Sequence, residues 1–329
     1  GHAVKDGAPA IAVTDSGNLF GALEFAQKAS KDGVQPIIGV QIGIDFGDAA
    51  EPGRAPKRHG HSRPAAVLIA ATEAGYANLV RLVSRAYLDG PSDQEPHLPV
   101  DWIDGVAEGI ICLTGGPRGP IGVALAEDHK ALAEQRLLRL KALFGDRLYV
   151  ELERLRGYDR NVEAAAIGLA YDHELPLVAT NEAFFAKAED FEAHDALVAI
   201  AEGTVIADDN RRRLTPDNHL KSQAEMAALF ADLPEAIDNT IEIALRCSYY
   251  PENRKPILPR FTGGGETDEQ AALAAEAAEL RRQAQDGLAR RLKTAGVTPG
   301  YTEEQYRERL EYELGIIERM KFPGYFLIV

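Results

Sequence analysis

Short apolar runs alternate with stretches of helical periodicity through much of the chain. The apolar runs predict buried strands, and the amphipathic stretches between them predict helices. Units of this kind recur at a spacing of roughly 30 residues, which predicts an α/β fold of the barrel type. The predicted strands are 9–14, 36–44, 65–71, 109–114, 147–153 and 176–180, and the predicted helices are 19–32, 75–88, 122–143 and 160–174.

The first apolar run ends abruptly in two polar residues, Asp15 and Ser16, just before its amphipathic helix. In parallel α/β folds, the residues that follow the carboxyl end of a strand line the active site. Asp15 is therefore either a ligand or catalytic residue, or a helix-capping residue in a site that has lost its activity. The pattern by itself leaves both interpretations open.

Beyond the last predicted strand the chain becomes polar and then helical. A run of three arginines begins at Arg211. We interpret it as a solvated turn, in preference to a binding site for phosphate or for an acidic partner. Ser222 and Glu225 have the spacing of a capping box. Two amphipathic helices, over 222–230 and 234–247, are expected to close the first domain.

A run rich in proline and glycine, 249–270, is the predicted domain boundary. Helical patterns follow over 270–295 and 301–320, and the sequence closes on the apolar run 326–329. Such a run would be exposed at a free C-terminus, so the chain is expected to be a fragment cut inside a second domain. The opening residues suggest the end of a helix followed by a strand, so the first βα unit is expected to be truncated.

The composition narrows the class of protein. No apolar run approaches the ~20 residues needed to span a bilayer, and there is no signal peptide, so no membrane partner is expected. The net charge of -15 would repel a phosphate backbone, which excludes a nucleic-acid groove as the role of the surface as a whole. Cys112 and Cys247 lie in apolar patterns and are predicted core residues of a reduced, cytoplasmic protein.

Eight sequence stretches, taken in order, resemble the N-terminal part of the alpha subunit of bacterial replicative DNA polymerase III. The resemblance implies a polymerase-and-histidinol-phosphatase (PHP) domain over 1–253, a distorted (βα)7 barrel. It also implies a linker over 254–269 and the incomplete, helical start of the palm domain over 270–329. The catalytic aspartates of the palm would then lie beyond Val329, and a two-histidine opening motif before Gly1. The stretches are TDSGNLFGALEF, QPIIGV, AGYANLVRLVSRAY, YVELE, PLVATN, AHDALVAI, KSQAEMAALFADLPEAIDNTIEIALRC and ERMKFPGYFLIV.

Active PHP domains hold a cluster of metals that activates water for phosphoester hydrolysis, and the resemblance allows that site to be checked by position. Carboxylates remain at Asp15 and Glu182, which can hold at most one weak hard cation. The other positions have lost their ligands, so the site is expected to be degenerate and this chain to bind no metal or other cofactor. Those positions are Ser16, Ala65 and Phe184 in place of histidines, Gln41 in place of a glutamate and Gly116 in place of a cysteine. With the imidazole lost, the Ser16 hydroxyl is expected to cap the helix that begins near Leu19, and Asp15 to be a capping or hydrogen-bonding residue.

The histidines elsewhere in the sequence do not replace the missing metal ligands. His59 and His61 form an H-x-H pair in a loop rich in glycine and proline, where a solvated loop is the preferred interpretation. His194 and Asp195 begin an amphipathic helix, where capping or support of a neighbouring ligand is favoured over metal ligation.

The resemblance also implies partners. A separate proofreading exonuclease subunit would dock on the PHP domain, which would also support the remainder of the polymerase chain. DNA, the sliding clamp and Mg²⁺ would be engaged by the parent polymerase and not by this acidic fragment. The alternative is an active PHP-type metal-dependent phosphoesterase or 3′-5′ exonuclease, which would require histidines at Ser16, Ala65 and Phe184.

Overall fold

The computed structural model describes residues 1–47, 63–254, 261 and 268–329. The predicted loop with His59 and His61, and most of the predicted linker, lie outside the described residues. The chain divides into two compact units, Gly1–Asn253 and Arg254–Val329.

The first unit is built on a mixed sheet whose strands run in the order β1-β2-β3-β5-β6-β7, with β4 paired to β2. Only β3 is antiparallel to its neighbours, and the other described pairings are parallel. The strands are β1 (Ala10–Ser16), β2 (Gln35–Asp45), β3 (Ala65–Ala70), β4 (His97–Pro99), β5 (Ile110–Leu113), β6 (Leu148–Glu153) and β7 (Leu177–Thr180).

The helices of the first unit follow the predicted pattern with one correction. The single helix predicted over 122–143 is wrong, because Glu127 ends one helix and Asp128 turns the chain with a φ of 59° before the next begins. The helices are α1 (His2–Asp6), α2 (Ala22–Lys31), α3 (Glu73–Leu88), α4 (Pro120–Ala126), α5 (Lys130–Phe144), α6 (Arg160–Asp172), α7 (Phe191–Ala201), α8 (Gln223–Leu229) and α9 (Pro234–Arg246). The predicted capping box at Ser222 and Glu225 is confirmed.

Alternate residues of β2, β3, β5, β6 and β7 enter two different parts of the core. On one face, strand residues such as Leu68 and Val150 pack with buried residues of α3 and α5, for example Leu82 and Leu137. The opposite face, which we call the inner face, carries a second buried cluster that Ile243 and Cys247 help to cover. Its strand members are Ile37, Val67, Ile69, Ile111, Leu113, Tyr149 and Val178. Because both faces of these strands are buried, their sequences are continuous apolar runs.

Both cysteines are buried, as predicted. Burial raises the pKa of the Cys112 thiol and raises that of Cys247 to about 12, so neither thiol is a reactive nucleophile at neutral pH.

The second unit is helical, with α10 (Glu269–Ala295), α11 (Glu303–Arg319) and α12 (Pro323–Ile328). Arg281 of α10 binds carboxylates of Glu311 and Glu318 on α11. Glu276 of α10 is buried, accepts the backbone N–H of Phe261 at 2.9 Å and lies against Gly324 of α12. The predicted fold class, an α/β barrel-type domain followed by a helical region, is confirmed.

Candidate functional site at the carboxyl edge of the sheet

The strand directions bring the predicted site positions to one edge of the sheet. The carboxyl ends of β1, β5, β6 and β7 share this edge with the amino end of β3 because β3 alone is reversed. Ser16 pairs with Gln41 across the β1–β2 ladder, and Ala65 pairs with Gly43 across β2–β3. The Ser16 hydroxyl donates to Gln41 Oε1 at 3.3 Å.

The turn after β5 closes onto this edge through two glycines. Gly115 has a φ of +84°, and a Cβ added there would collide with the backbone oxygen of Ala65. Gly116 has a φ of +56°, and a Cβ there would lie 3.1 Å from Cγ of Glu153. The turn therefore packs so tightly that position 116 has no room for a longer side chain unless Glu153 moves.

Two carboxylates that the sequence interpretation did not select lie on the inner face at the end of β6. Glu151 and Glu153 are both 5% exposed. Glu151 accepts the backbone N–H of Gly115 at 2.9 Å and the hydroxyl of Thr180 at 2.7 Å. The sequence held a signal for them, since the alternation in YVELE puts both carboxylates on the face that Tyr149 shares, inside an otherwise apolar strand.

Arg118, in the same turn as Gly116, joins the carboxylates of two neighbouring strands. Its guanidinium forms an ion pair with Glu182, just past β7, and lies 3.8 Å from Oε2 of Glu153. The side chains of Glu153 and Glu182 are only 7% and 16% exposed, whereas that of Arg118 is 50% exposed. The cation thus covers the carboxylates from the solvent side.

Burial dominates the protonation of the β6 carboxylates. It raises the pKa of Glu151, although the hydrogen bonds from Thr180 and Gly115 work in the opposite direction. Burial, with repulsion from Glu151, raises the pKa of Glu153 to about 8, and Arg118 opposes this shift. The pair therefore retains a proton near neutral pH.

Phe184, the residue at the predicted histidine position after β7, takes part in an aromatic cluster. Its ring centroid lies 5.7 Å from that of His194 and the Arg212 guanidinium lies 5.8 Å from it. His194 also packs on Phe185 at 5.3 Å. The side chain of Phe184 is 37% exposed, so it forms part of the rim of this edge.

The solvated turn predicted for the three arginines holds for two of them, since Arg212 and Arg213 are exposed. It is wrong for Arg211, whose side chain is fully buried and forms a two-pronged ion pair with Asp195 of α7. Ser16 does not cap α2. The helix begins after Gly21 without a side-chain cap, and it is Asn18 that orders the turn, accepting the Phe20 N–H at 3.1 Å.

The comparisons with known proteins agree with this architecture. Residues 1–155 match the PHP domain model, and residues 278–329 match the model described as the bacterial DNA polymerase III alpha NTPase domain. A protein from Caulobacter vibrioides named DNA polymerase III subunit alpha is 45% identical over 324 residues. Proteins of the same name from Pseudomonas aeruginosa and Escherichia coli K12 are 40% and 36% identical over 332 and 330 residues.

Along almost its whole length the chain is similar to bacterial proteins named DNA polymerase III subunit alpha. The three alignments cover 98% of this chain and 27% of each relative, so the chain spans about a quarter of the length of the proteins it matches. Of its described helices, none is both long and apolar enough to cross a membrane.

The residues at this edge do not fit the metal cluster that a PHP barrel implies. Within the described ranges, no group of three or more His, Cys, Asp or Glu side chains is arranged to hold a metal ion. Glu182, one of the two carboxylates predicted for a single weak cation, is bound by Arg118 instead. Asp15, the other, is exposed at the end of β1, where its Oδ2 lies beside Gly21.

The raised pKa of Glu153 predicts a pH dependence of stability. Glu153 ionises near its ordinary value in the unfolded chain but near pH 8 in the folded one. Between these values the folded state holds a proton that the unfolded state has released, so the contribution of Glu153 to the free energy of unfolding falls as the pH rises from 5 to 9. We expect Glu153→Gln to reduce this fall by on the order of 1–3 kcal/mol.

Urea denaturation at several pH values, followed by circular dichroism, measures this effect. Glu108→Gln is the matched control, because that side chain is exposed, and it should keep the wild-type pH profile. The assignment of a proton to Glu153 would be contradicted if the free energy of unfolding of Glu153→Gln differed from that of wild type by the same amount at pH 6 and at pH 9.

Proposed function

We propose that this chain is part of a replicative DNA polymerase whose PHP barrel supports the polymerase and binds a partner, and no longer performs metal-dependent catalysis. The name shared by its relatives and the match of 278–329 support the polymerase assignment. The two compact units support a PHP domain over 1–253 and the start of the palm over 270–329, with 254–269 as the linker. Template-directed nucleotidyl transfer, with Mg²⁺, DNA and the sliding clamp, then belongs to the parent polymerase in the cytoplasm.

The arrangement at the carboxyl edge carries the proposal that the PHP site is degenerate. Arg118 holds a guanidinium against Glu153 and Glu182, where a metal would need free carboxylate oxygens. A side chain at Gly116 would press on Glu153, and Phe184 is engaged with His194. Asp15, Ser16, Gln41, Ala65, Gly116, Glu182 and Phe184 are therefore proposed as the positions of a former site, with no catalytic residue in this chain.

A second feature supports docking of the proofreading exonuclease subunit on this domain. Four large aliphatic side chains on α7 and the turn after it are exposed, and we call them the α7 patch: Leu197 (63%), Ile200 (75%), Val205 (67%) and Ile206 (57%). Leu197 and Ile200 are three residues apart and share one side of the helix. A grouped set of exposed aliphatic residues is typical of a protein-binding surface.

Substitution of the α7 patch tests the docking proposal. We expect Ile200→Asp to weaken binding of the matching exonuclease subunit to this chain by at least about tenfold, because a charge would be buried at the centre of the contact. Surface plasmon resonance with the purified subunits measures the affinity, and circular dichroism checks that the variant remains folded.

Leu88→Asp is the matched control. Leu88 is 82% exposed at the end of α3, so its replacement adds the same charge outside the α7 patch and should leave the affinity unchanged. Wild-type affinity in the Ile200→Asp variant would overturn the placement of the docking surface. Wild-type chain that fails to bind the exonuclease subunit at all would overturn the docking role.

A further inference from the structure

Arg211 is a buried guanidinium in a turn whose neighbouring residues, 205–210 and 212–213, are exposed. Its side chain is 0% exposed and forms a two-pronged ion pair with Asp195 of α7, in which Nη1 donates to Oδ1 at 2.6 Å. Its Nε also donates to the backbone oxygen of Ile206 at 3.3 Å. Arg211 thus joins the middle of α7 to the turn that carries Val205 and Ile206.

The rest of the turn has few attachments of its own. At its start, the N–H groups of Gly203 and Thr204 donate to the last carbonyls of α7, at 3.2 Å and 2.9 Å. Beyond that point, within the described part of the chain, 205–210 makes no hydrogen bond to α7 or to a strand. Arg211 is therefore the anchor that fixes this part of the turn to the helix.

Asp195 lies on the side of α7 away from the exposed apolar residues. At 3.6 residues per turn, Leu197 and Ile200 lie about 200° and about 140° around the helix from Asp195. Since the Arg211 side chain is also fully buried, it cannot touch a protein bound to the α7 patch. Any effect of Arg211 on such a partner must pass through the turn.

The border of this surface is acidic. Glu202 and Asp208 are exposed and form no ion pair among the described residues. They lie close to Arg211, because their charges raise its pKa, in addition to the larger effect of its hydrogen bond to Asp195. A partner that fits this surface has an apolar centre with basic groups at its edge.

We propose that Arg211 is a positioning residue of the docking surface, which holds Val205 and Ile206 against α7 so that both parts of the α7 patch meet the exonuclease subunit together. The inference rests on the proposed function, in which that subunit docks on the α7 patch. A buried ion pair suits this task because its planar fork fixes the direction of approach as well as the distance.

The test is the affinity of the double variant Arg211→Met/Asp195→Leu for the matching exonuclease subunit, measured by surface plasmon resonance. This variant leaves no buried charge without a partner, so it should fold, as circular dichroism checks. We expect its affinity to fall at least about fivefold, because the turn loses its anchor. Amide hydrogen exchange over 203–210 should become faster, and added salt should weaken wild-type binding by screening the acidic border.

Arg154→Met/Glu163→Leu is the matched control. It removes another buried ion pair of the same unit, away from the α7 patch, and should keep wild-type affinity.

A positioning role also predicts that effects are not additive. Ile206→Ala should weaken binding at least about threefold in the wild-type background but change little in Arg211→Met/Asp195→Leu, where the turn is already displaced. Leu197→Ala should have the same effect in both backgrounds. A merely structural role of Arg211 would leave the effect of Ile206→Ala unchanged, and that result would overturn the inference.

Wild-type affinity in a folded Arg211→Met/Asp195→Leu variant would also overturn it. If that variant does not fold, Arg211→Lys decides, since lysine keeps a charge beside Asp195 but lacks the fork that also reaches Ile206. Wild-type affinity of Arg211→Lys, or loss of folding in both variants, would overturn the inference, and salt-independent wild-type binding would overturn the basic partner face. The proposed function fails separately, if Ile200→Asp keeps wild-type affinity or the wild-type chain does not bind.

Discussion

Replacing Gly115 with alanine is expected to lower the free energy of unfolding of the first unit by more than about 3 kcal/mol. Gly115 has a φ of +84°, and its missing Cβ leaves the space that the backbone oxygen of Ala65 occupies. A methyl group would therefore impose backbone strain and also push the turn after β5 away from β3. The bond from the Gly115 N–H to Glu151 would be lost in the same movement.

Gly157→Ala separates these two causes. Gly157 has a φ of +85°, almost the same as Gly115, but nothing lies within 4 Å of the position of its Cβ. It should show the backbone strain alone, about 1–2 kcal/mol. Urea denaturation followed by circular dichroism compares the two variants. Equal losses would show that the contact of Gly115 with Ala65 contributes nothing.

Arg154→Met is expected to cost about 3–5 kcal/mol, the loss typical when one member of a buried ion pair is removed. Arg154 follows β6 and binds Glu163 of α6, whose side chain is only 7% exposed. It also binds Asp232 at 2.6 Å and the backbone oxygen of Leu229 at 2.7 Å, and stacks over Phe230 at 4.5 Å. One side chain thus ties the α8–α9 region to the barrel.

Arg139→Met is the matched control. Arg139 also binds two carboxylates, those of Asp101 and Asp104, but these are 81% and 54% exposed. Its removal should cost less than about 1 kcal/mol. The double variant Arg154→Met/Glu163→Leu should recover much of the loss, because it leaves no buried charge without a partner. A double variant as unstable as Arg154→Met would contradict the stated cause.

Much of the fold could be predicted because its strands are buried on both faces. Runs such as PIIGVQIGI give a strong local signal, and β2 was located closely from it. β4 was missed because three residues, His97–Pro99, give too little pattern. The reversal of β3 had a signal in the sequence, since the segment before it has no helical periodicity, and a parallel strand pair needs a long crossover, usually a helix.

The location of the candidate site residues at strand ends was predictable from the sequence, but their side-chain pairings were not. Asp15, Ala65, Gly116 and Glu182 could be placed at strand ends, since that depends on local pattern. The part that Arg118 plays in the site could not be predicted from the sequence, because its ion pair with Glu182 joins residues that are 64 positions apart. The same is true of Arg211, whose pairing with Asp195 turned an expected solvated turn into a buried contact.

The predictions of one continuous helix through Asp128 and of a capping role for Ser16 were wrong for a local reason. Both Glu127-Asp128-His129 and Asp15-Ser16-Gly17-Asn18 hold several residues that can cap a helix or form a turn. Which of them does so depends on the strand beside it. The Ser16 hydroxyl is hydrogen-bonded to Gln41 of β2, so Asn18 orders the turn instead.

We propose that the PHP barrel of this chain balances its charges with Arg118 and does not hold a catalytic metal cluster. The most direct test is elemental analysis of the purified wild-type chain after dialysis, together with an assay for hydrolysis of a phosphodiester in the presence of Mn²⁺. We predict less than one tightly bound metal ion per chain and no hydrolysis above background. Two or more tightly bound metal ions per chain, with phosphodiesterase activity that chelation abolishes, would contradict it.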